Sequence, residues 1–155
     1  GHVKRLGLDL TRHLLDRALR QARGEAEPPP PPALVLELPA GIPAAYVPEE
    51  ALRLSLHARI GAAMREAALD DIAEELADRF GPPPAAVENL LLRARLRLRA
   101  RRLAVARLEC GPLAVAARFH GAPPAVAAPL EAKEDRVILR REGADGAAMA
   151  RNALV

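Results

Sequence analysis

Large aromatic side chains are nearly missing from this chain. Of 155 residues none is Trp, one is Tyr (Tyr46) and two are Phe (Phe80 and Phe119). A core built from it is therefore aliphatic, mostly Ala, Leu and Val, with few large anchors. The single cysteine, Cys110, excludes an internal disulfide and a Cys-rich zinc site, and reads as a small apolar residue beside a turn. The single serine, Ser55, lies inside a helical pattern and outside any nucleophile-elbow motif. No Gly-x-x-x-x-Gly-Lys-Ser/Thr and no Gly-x-Gly-x-x-Gly occurs, so no phosphate cradle is encoded. His2, His13, His57 and His120 are not spaced as metal ligands. The acid pairs Glu49-Glu50, Asp70-Asp71 and Glu74-Glu75 suit solvated or early helical turns, and nothing in the sequence places them in a cleft. Catalysis and a bound cofactor or metal are therefore not expected of this chain. No apolar run approaches the roughly 18 residues of a membrane span and no signal peptide is visible, so a cytoplasmic location is expected.

Half of the residues are apolar and 28% are charged, a globular balance. The length suits one domain that buries roughly 70% of its unfolded surface. The sequence pI is about 9.7, yet the net charge is only +3, which is weak evidence for a nucleic-acid partner. The chain is rich in Ala, Arg, Pro and Gly and poor in Lys, Ile and Phe, as GC-rich coding produces. Gly1-His2 in place of Met marks a tag-cleavage scar or a piece of a longer protein.

The periodicities predict a leading helix over 8–23 within a segment 1–27, then a Pro-rich linker over 28–33, then a main body over 34–155. The run Pro28–Pro32 favours polyproline II, either as a stiff spacer or as a docking ligand. A strand is predicted at Leu34–Leu38 and an extended stretch at Pro39–Pro48. A helix follows over 49–67, with Leu52, Leu56, Arg59 and Ile60 at helical spacing, and another over 68–80. A long helix over 84–104 carries Val87, Leu90, Leu91, Ala94 and Leu98 in one stripe. Leu92, Leu96 and Leu103 form a second stripe nearly opposite, so this helix should be packed on two sides. Strands are predicted at 105–109, 113–119 and 136–140, with a helix over Ala122–Lys133 opened by Pro123-Pro124 and a weak helix from Gly143. The fold class is α+β: helices in the first two thirds, packed with a small sheet formed largely by the C-terminal third.

Arg93, Arg95, Arg97, Arg99, Arg101, Arg102 and Arg107 resemble a nucleic-acid helix. On an α-helix, however, alternate residues step by about 200°, which scatters these side chains around the axis. No aromatic is interleaved with them for base stacking. They also fit a solvated helix whose arginines snorkel around its apolar stripes.

The helix over 69–80 divides most clearly into parts. Leu69, Ile72, Ala73, Leu76 and Phe80 form one apolar stripe, and Gly81 followed by Pro82–Pro84 supplies a stop. Glu75, Asp78 and Arg79, spaced i, i+3 and i+4, share another face. As a solvated face it holds a Glu75–Arg79 pair contributing about 0.3–0.5 kcal/mol.

Five motifs in order resemble one family. They are Gly-Leu-Asp-Leu to Leu-Leu-Asp-Arg-Ala-Leu at 7–19, Leu-Pro-Ala-Gly-Ile-Pro-Ala-Ala-Tyr-Val-Pro at 38–48, Arg-Leu-Ser-Leu-His-Ala-Arg-Ile at 53–60, Glu-Leu-Ala-Asp-Arg-Phe-Gly-Pro-Pro-Pro at 75–84, and Leu-Leu-Leu-Arg-Ala-Arg-Leu at 90–96. Together they resemble the C-terminal domain of the bacterial transcription-repair coupling factor (Mfd) family, over about residues 1–109. Thr11 and His57 stand where that family commonly has aromatics. The resemblance implies that residues 1–155 are a C-terminal regulatory domain of a larger ATP-driven DNA translocase. Such a domain holds neither the motor, where ATP and Mg bind, nor the RNA polymerase-binding module. It implies docking on the parent's UvrB-like N-terminal module, which masks the UvrA-binding surface and represses the motor. Carried over from the family motif, the docking residues are Glu75, Asp78 and Arg79. The alternatives are a nucleic-acid-binding module using the Arg93–Arg107 helix and a scaffold docking through Pro28–Pro32.

Overall fold

A computed structural model describes residues 19, 22–23, 30–111, 114–126 and 130–140. The chain divides into two units, Gly1–Pro30 and Pro31–Val155. In the first, the Arg23 N–H donates to the Leu19 carbonyl at 3.1 Å, one turn of helix. The rest of the helix predicted over 8–23, and the one predicted from Gly143, lie outside the described residues.

In the second unit, the apolar periodicities resolve into strand β1 (Ala33–Leu36), helices α1 (Glu50–Ala62), α2 (Glu66–Phe80) and α3 (Ala85–Arg102), and strands β2 (Val105–Cys110), β3 (Ala114–Phe119), β4 (Leu130–Lys133) and β5 (Arg136–Arg140). The fold is α+β, three helices packed with one five-stranded mixed sheet of order β1-β2-β3-β5-β4. β1 runs parallel to β2, with Ala33 opposite Arg107 and Leu36 opposite Cys110. Parallel neighbours need a long crossover, and the three helices are that crossover. All other pairings are antiparallel. A bulge at Ala106 shifts the β2–β3 register between Val105 and Arg107.

α3 sits between two cores. Val87, Leu91, Ala94 and Leu98 join Leu56, Ile60, Leu69, Ile72 and Leu76 of the other helices. Leu92, Leu96 and Ala100 join Val105, Leu108, Cys110 and Val115 of the sheet. The two-sided helix expected from its stripes is therefore present, with one correction. Leu103 is 67% exposed because α3 ends at Arg102, and Ala100 completes the stripe instead. Beyond the end, Ala104 takes φ +54° and its carbonyl accepts from the His120 N–H at 3.0 Å, which leads the chain into β2.

Two further expectations are corrected. α1 stops at Ala62, because Ala63 turns to φ −59° and ψ 128°, and α2 begins early, at Glu66. The helix predicted over Ala122–Lys133 does not occur among the described residues of that range: 123–126 are irregular and 130–133 form β4. β4, the edge strand, pairs with β5 across a two-residue turn, in which Glu134 takes φ +38°.

The end of α2 is fixed by backbone geometry and one aromatic clamp. Gly81 adopts φ +80°, a region L side chains rarely enter, and its N–H donates to the Ala77 carbonyl at 2.9 Å. The Tyr46 hydroxyl lies 2.8 Å from the Gly81 carbonyl and 3.0 Å from the Leu76 carbonyl, its one proton serving either. Its ring tilts against Phe80 with centroids 5.8 Å apart.

Candidate docking face

The buried stripe of α2, Leu69, Ile72 and Leu76, leaves acids on both flanks. On one flank Glu66 and Asp70 point to α3. Glu66 binds Arg99 through two hydrogen bonds, at 3.0 and 3.1 Å, with Arg102 at 3.7 Å. Asp70 accepts from Arg95 at 2.7 Å. On the other flank Glu75 points to α1. Its Oε2 lies 2.7 Å from Arg59 Nη2 and its Oε1 accepts from Arg79 Nη1 at 2.9 Å. α2 is thus fastened by charge on both sides as well as by its apolar stripe.

The three residues singled out in the sequence divide in the structure. Glu75 and Arg79 form the i,i+4 pair expected of them. Glu75 is half-buried, while Asp78 and Arg79 are exposed. Asp78 makes no hydrogen bond or ion pair among the described residues. The Arg79 guanidinium also stands over the Phe80 ring, 5.2 Å from its centroid, a cation–π contact. Its position is therefore set from two sides, by a carboxylate and by a ring that Tyr46 holds in turn. The Arg59 hydrogen bond, with Arg79 adding to it, holds the Glu75 carboxyl below the usual carboxylate range against the opposing effect of burial. The same bond raises the Arg59 guanidinium.

Arg59 is the member the sequence concealed. At helical spacing it falls among Leu52, Leu56 and Ile60, and reads as part of the packing stripe of α1. Its charge, opposite to that of Glu75 on the next helix, is the one available signal. With Arg59 included, the face presents two cations and two anions, of which Asp78 alone is unpaired.

The arginines of α3 are largely occupied. Residues four apart align on a helix, so the period-two arginines form two rows. Arg95, Arg99 and Arg102 face the acids of α2. In the other row Arg97 donates to the Ile60 carbonyl at 3.1 Å, satisfying an orphan acceptor near the end of α1, and burial lowers its guanidinium pKa. Arg93 and Arg101 make no side-chain hydrogen bond or ion pair among the described residues. Of the Pro28–Pro32 run, Pro31 is exposed and Pro32 is buried.

Among the described residues no group of three or more His, Cys, Asp and Glu could hold a metal. No helix among them is long and apolar enough to cross a membrane. Cys110 is buried, and burial pushes its thiol up to about 11, which keeps it protonated and unreactive at neutral pH.

The family model of the TRCF domain matches residues 36–128, a range that contains Glu75, Asp78 and Arg79. The transcription-repair-coupling factor of Haemophilus influenzae is 36% identical over 117 residues, covering 72% of this chain and 10% of that protein. That of Escherichia coli is 33% identical over 115 residues, covering 70% of this chain and 10% of that protein. The chain thus spans about a tenth of the length of these relatives. A crystal structure of the C-terminal domain of transcription-repair coupling factor superposes with a TM-score of 0.70 at 16% identity, over 83% of this chain and 90% of that one.

Proposed function

Because the chain belongs to the transcription-repair coupling factor family through its TRCF domain, we propose that it is a non-catalytic, autoinhibitory interaction domain of a DNA-translocating parent. It docks through Glu75, Asp78 and Arg79 on the parent's UvrB-like N-terminal module, masks the UvrA-binding surface there and represses the motor in nucleotide-excision repair. ATP and Mg serve the motor only; RNA polymerase and DNA are engaged by other parts of the parent, in the cytoplasm.

One observation carries this reading: apart from the Arg59–Glu75 tie between α1 and α2, the charges of this face, Arg79 and the unpaired Asp78 among them, are not needed to build the helix. The stripe of α2 and the Gly81 stop already account for the helix. What remains is a set of surface charges in which Arg59, Glu75 and Arg79 are held in position by two ion pairs and a ring contact. Fixed side chains lose less entropy on docking than free ones. Breaking one partner of a charge pair desolvated at an interface costs about 2–5 kcal/mol, and a competing partner can supply that energy, as a release mechanism requires.

The test is made in the full-length parent. Glu75→Ala, Asp78→Ala and Arg79→Ala, singly and together, should raise UvrA binding and basal ATPase activity. Unchanged values in the triple variant would remove the docking claim.

A further inference from the structure

The sheet carries a feature unrelated to the helical face. One side of it packs on α3 through Val105, Leu108, Cys110, Val115, Ala117, Phe119 and Leu139. On the other, Arg107 pairs in register with Arg118, Arg118 with Arg136, and Arg136 with Lys133. Four cations therefore stand in one straight row across β2, β3, β5 and β4. With strands about 4.8 Å apart, the row is roughly 14 Å long.

Like charges placed directly opposite one another weaken a sheet, so folding does not account for the row. Acids within reach offset it only in part. Glu109 pairs with Arg107 at 2.6 Å, and Asp135 serves both Arg118, at 2.9 Å, and Arg136, at 3.4 Å. In each pair the arginine contributes Nε, so its terminal nitrogens are not used in these closest contacts. Arg107, Arg118 and Arg136 are all about half exposed and, with Glu109 and Ala116, line one shallow depression.

We infer that this outer face of the sheet binds the sugar-phosphate backbone of duplex nucleic acid. A duplex shows one phosphate per strand for about every 3.4 Å of axis, so a row of roughly 14 Å reaches several phosphates of the backbone. Guanidinium groups bind phosphate oxygens through paired N–H donors, which the terminal nitrogens offer. A protein partner would favour an aromatic anchor near the centre of the patch. Here the positions beside the row are Ala116 and Ile138, and no aromatic stands on this face of the sheet among the described residues. Contact limited to phosphates reads no sequence. This surface lies across the sheet from α3 and is independent of the α2 face, so either assignment can fail without the other.

The experiment is a fluorescence-anisotropy titration of the 155-residue chain with a labelled mixed-sequence duplex, repeated between about 50 and 200 mM salt. Combined Arg107→Gln, Arg118→Gln and Arg136→Gln should weaken binding at least tenfold and reduce the salt slope by about 3. Arg93→Gln with Arg101→Gln on α3 should change it less than twofold. Glu109→Gln with Asp135→Asn, which removes the competing acids, should tighten binding several-fold; this arm decides the matter if the triple variant does not fold. The inference is overturned by no binding at low salt, by equal loss in the α3 variant, by unchanged or weaker binding in the acid variant, or by polyglutamate competing as well as unlabelled duplex.

Discussion

The Glu75 carboxylate receives guanidinium groups from two different helices, Arg59 of α1 at 2.7 Å and Arg79 of its own helix at 2.9 Å. The first contact ties α2 to α1, and the second fixes Arg79 in place on the surface. All three side chains retain between 29% and 49% of their exposure, so water screens the pairs and their net contribution to folding is small.

This separates fold from face in a measurable way. In the isolated chain, Glu75→Ala, Asp78→Ala and Arg79→Ala should each change the unfolding free energy by less than about 1 kcal/mol. Leu76→Ala, at the position next to Glu75 but fully buried, should cost about 2–5 kcal/mol. Urea denaturation distinguishes the two outcomes. A cost for Glu75 comparable to that for Leu76 would make the cluster a structural element.

Acid should loosen the domain through two carboxylates. Glu66 is held below its usual range first by its hydrogen bond to Arg99, and Glu75 first by its hydrogen bond to Arg59. A depressed folded-state pKa gives stability that is complete above the unfolded value, about 4.3 for Glu. That stability is lost as pH falls through the folded values. Melting temperature should therefore be flat near neutrality and fall below about pH 4.3. The Glu66→Gln, Glu75→Gln double variant should start lower and fall less steeply. A double variant as acid-sensitive as the original would place the titration elsewhere.

Two left-handed residues should respond in opposite directions to exchange of Gly and Ala. At Gly81, with φ +80° and open space around the missing Cβ, Gly81→Ala meets no clash but carries backbone strain of about 1–3 kcal/mol. At Ala104, with φ +54°, Ala104→Gly should relieve about 1–2 kcal/mol, less the extra entropy that Gly loses on folding. A lower melting temperature for the first and a modestly higher one for the second would be seen by calorimetry. The same direction of change in both would refute the account.

The Cys110 thiol should be silent in the folded chain. It is buried with a pKa of about 11, so alkylation near neutral pH should proceed only as fast as the sheet opens. It should reach completion in denaturant. Rapid labelling of the native chain would show that β2 is not closed against α3.

The two faces of α3 could be read from its sequence because two apolar stripes of helical period occur on it, and each found its own core. β4 could not be read that way. Leu130, Glu131, Ala132 and Lys133 are all good helix formers, and all four are exposed in the strand. Their conformation is decided by hydrogen bonds to β5 rather than by propensity, so local composition pointed the wrong way. The candidate face was legible where its spacing was local, as in the Glu75–Arg79 pair. The Arg59–Glu75 contact depends on how two helices come together, which no spacing within either helix expresses. The rows of arginine on α3 fall between these cases: a period of two on a helix looks scattered until residues four apart are taken together. The arginine row on the sheet needed the strand register, which exists only in three dimensions.

Tyr46 closes the C-terminal end of α2 through its hydroxyl and packs on Phe80, the ring beneath Arg79. It is also the only tyrosine of a chain without tryptophan. Emission excited in the tyrosine band therefore arises from this one site, with no other residue to dilute or quench it by energy transfer. The chain carries a native optical reporter in contact with Phe80, the neighbour of the proposed docking residue Arg79, readable without any label.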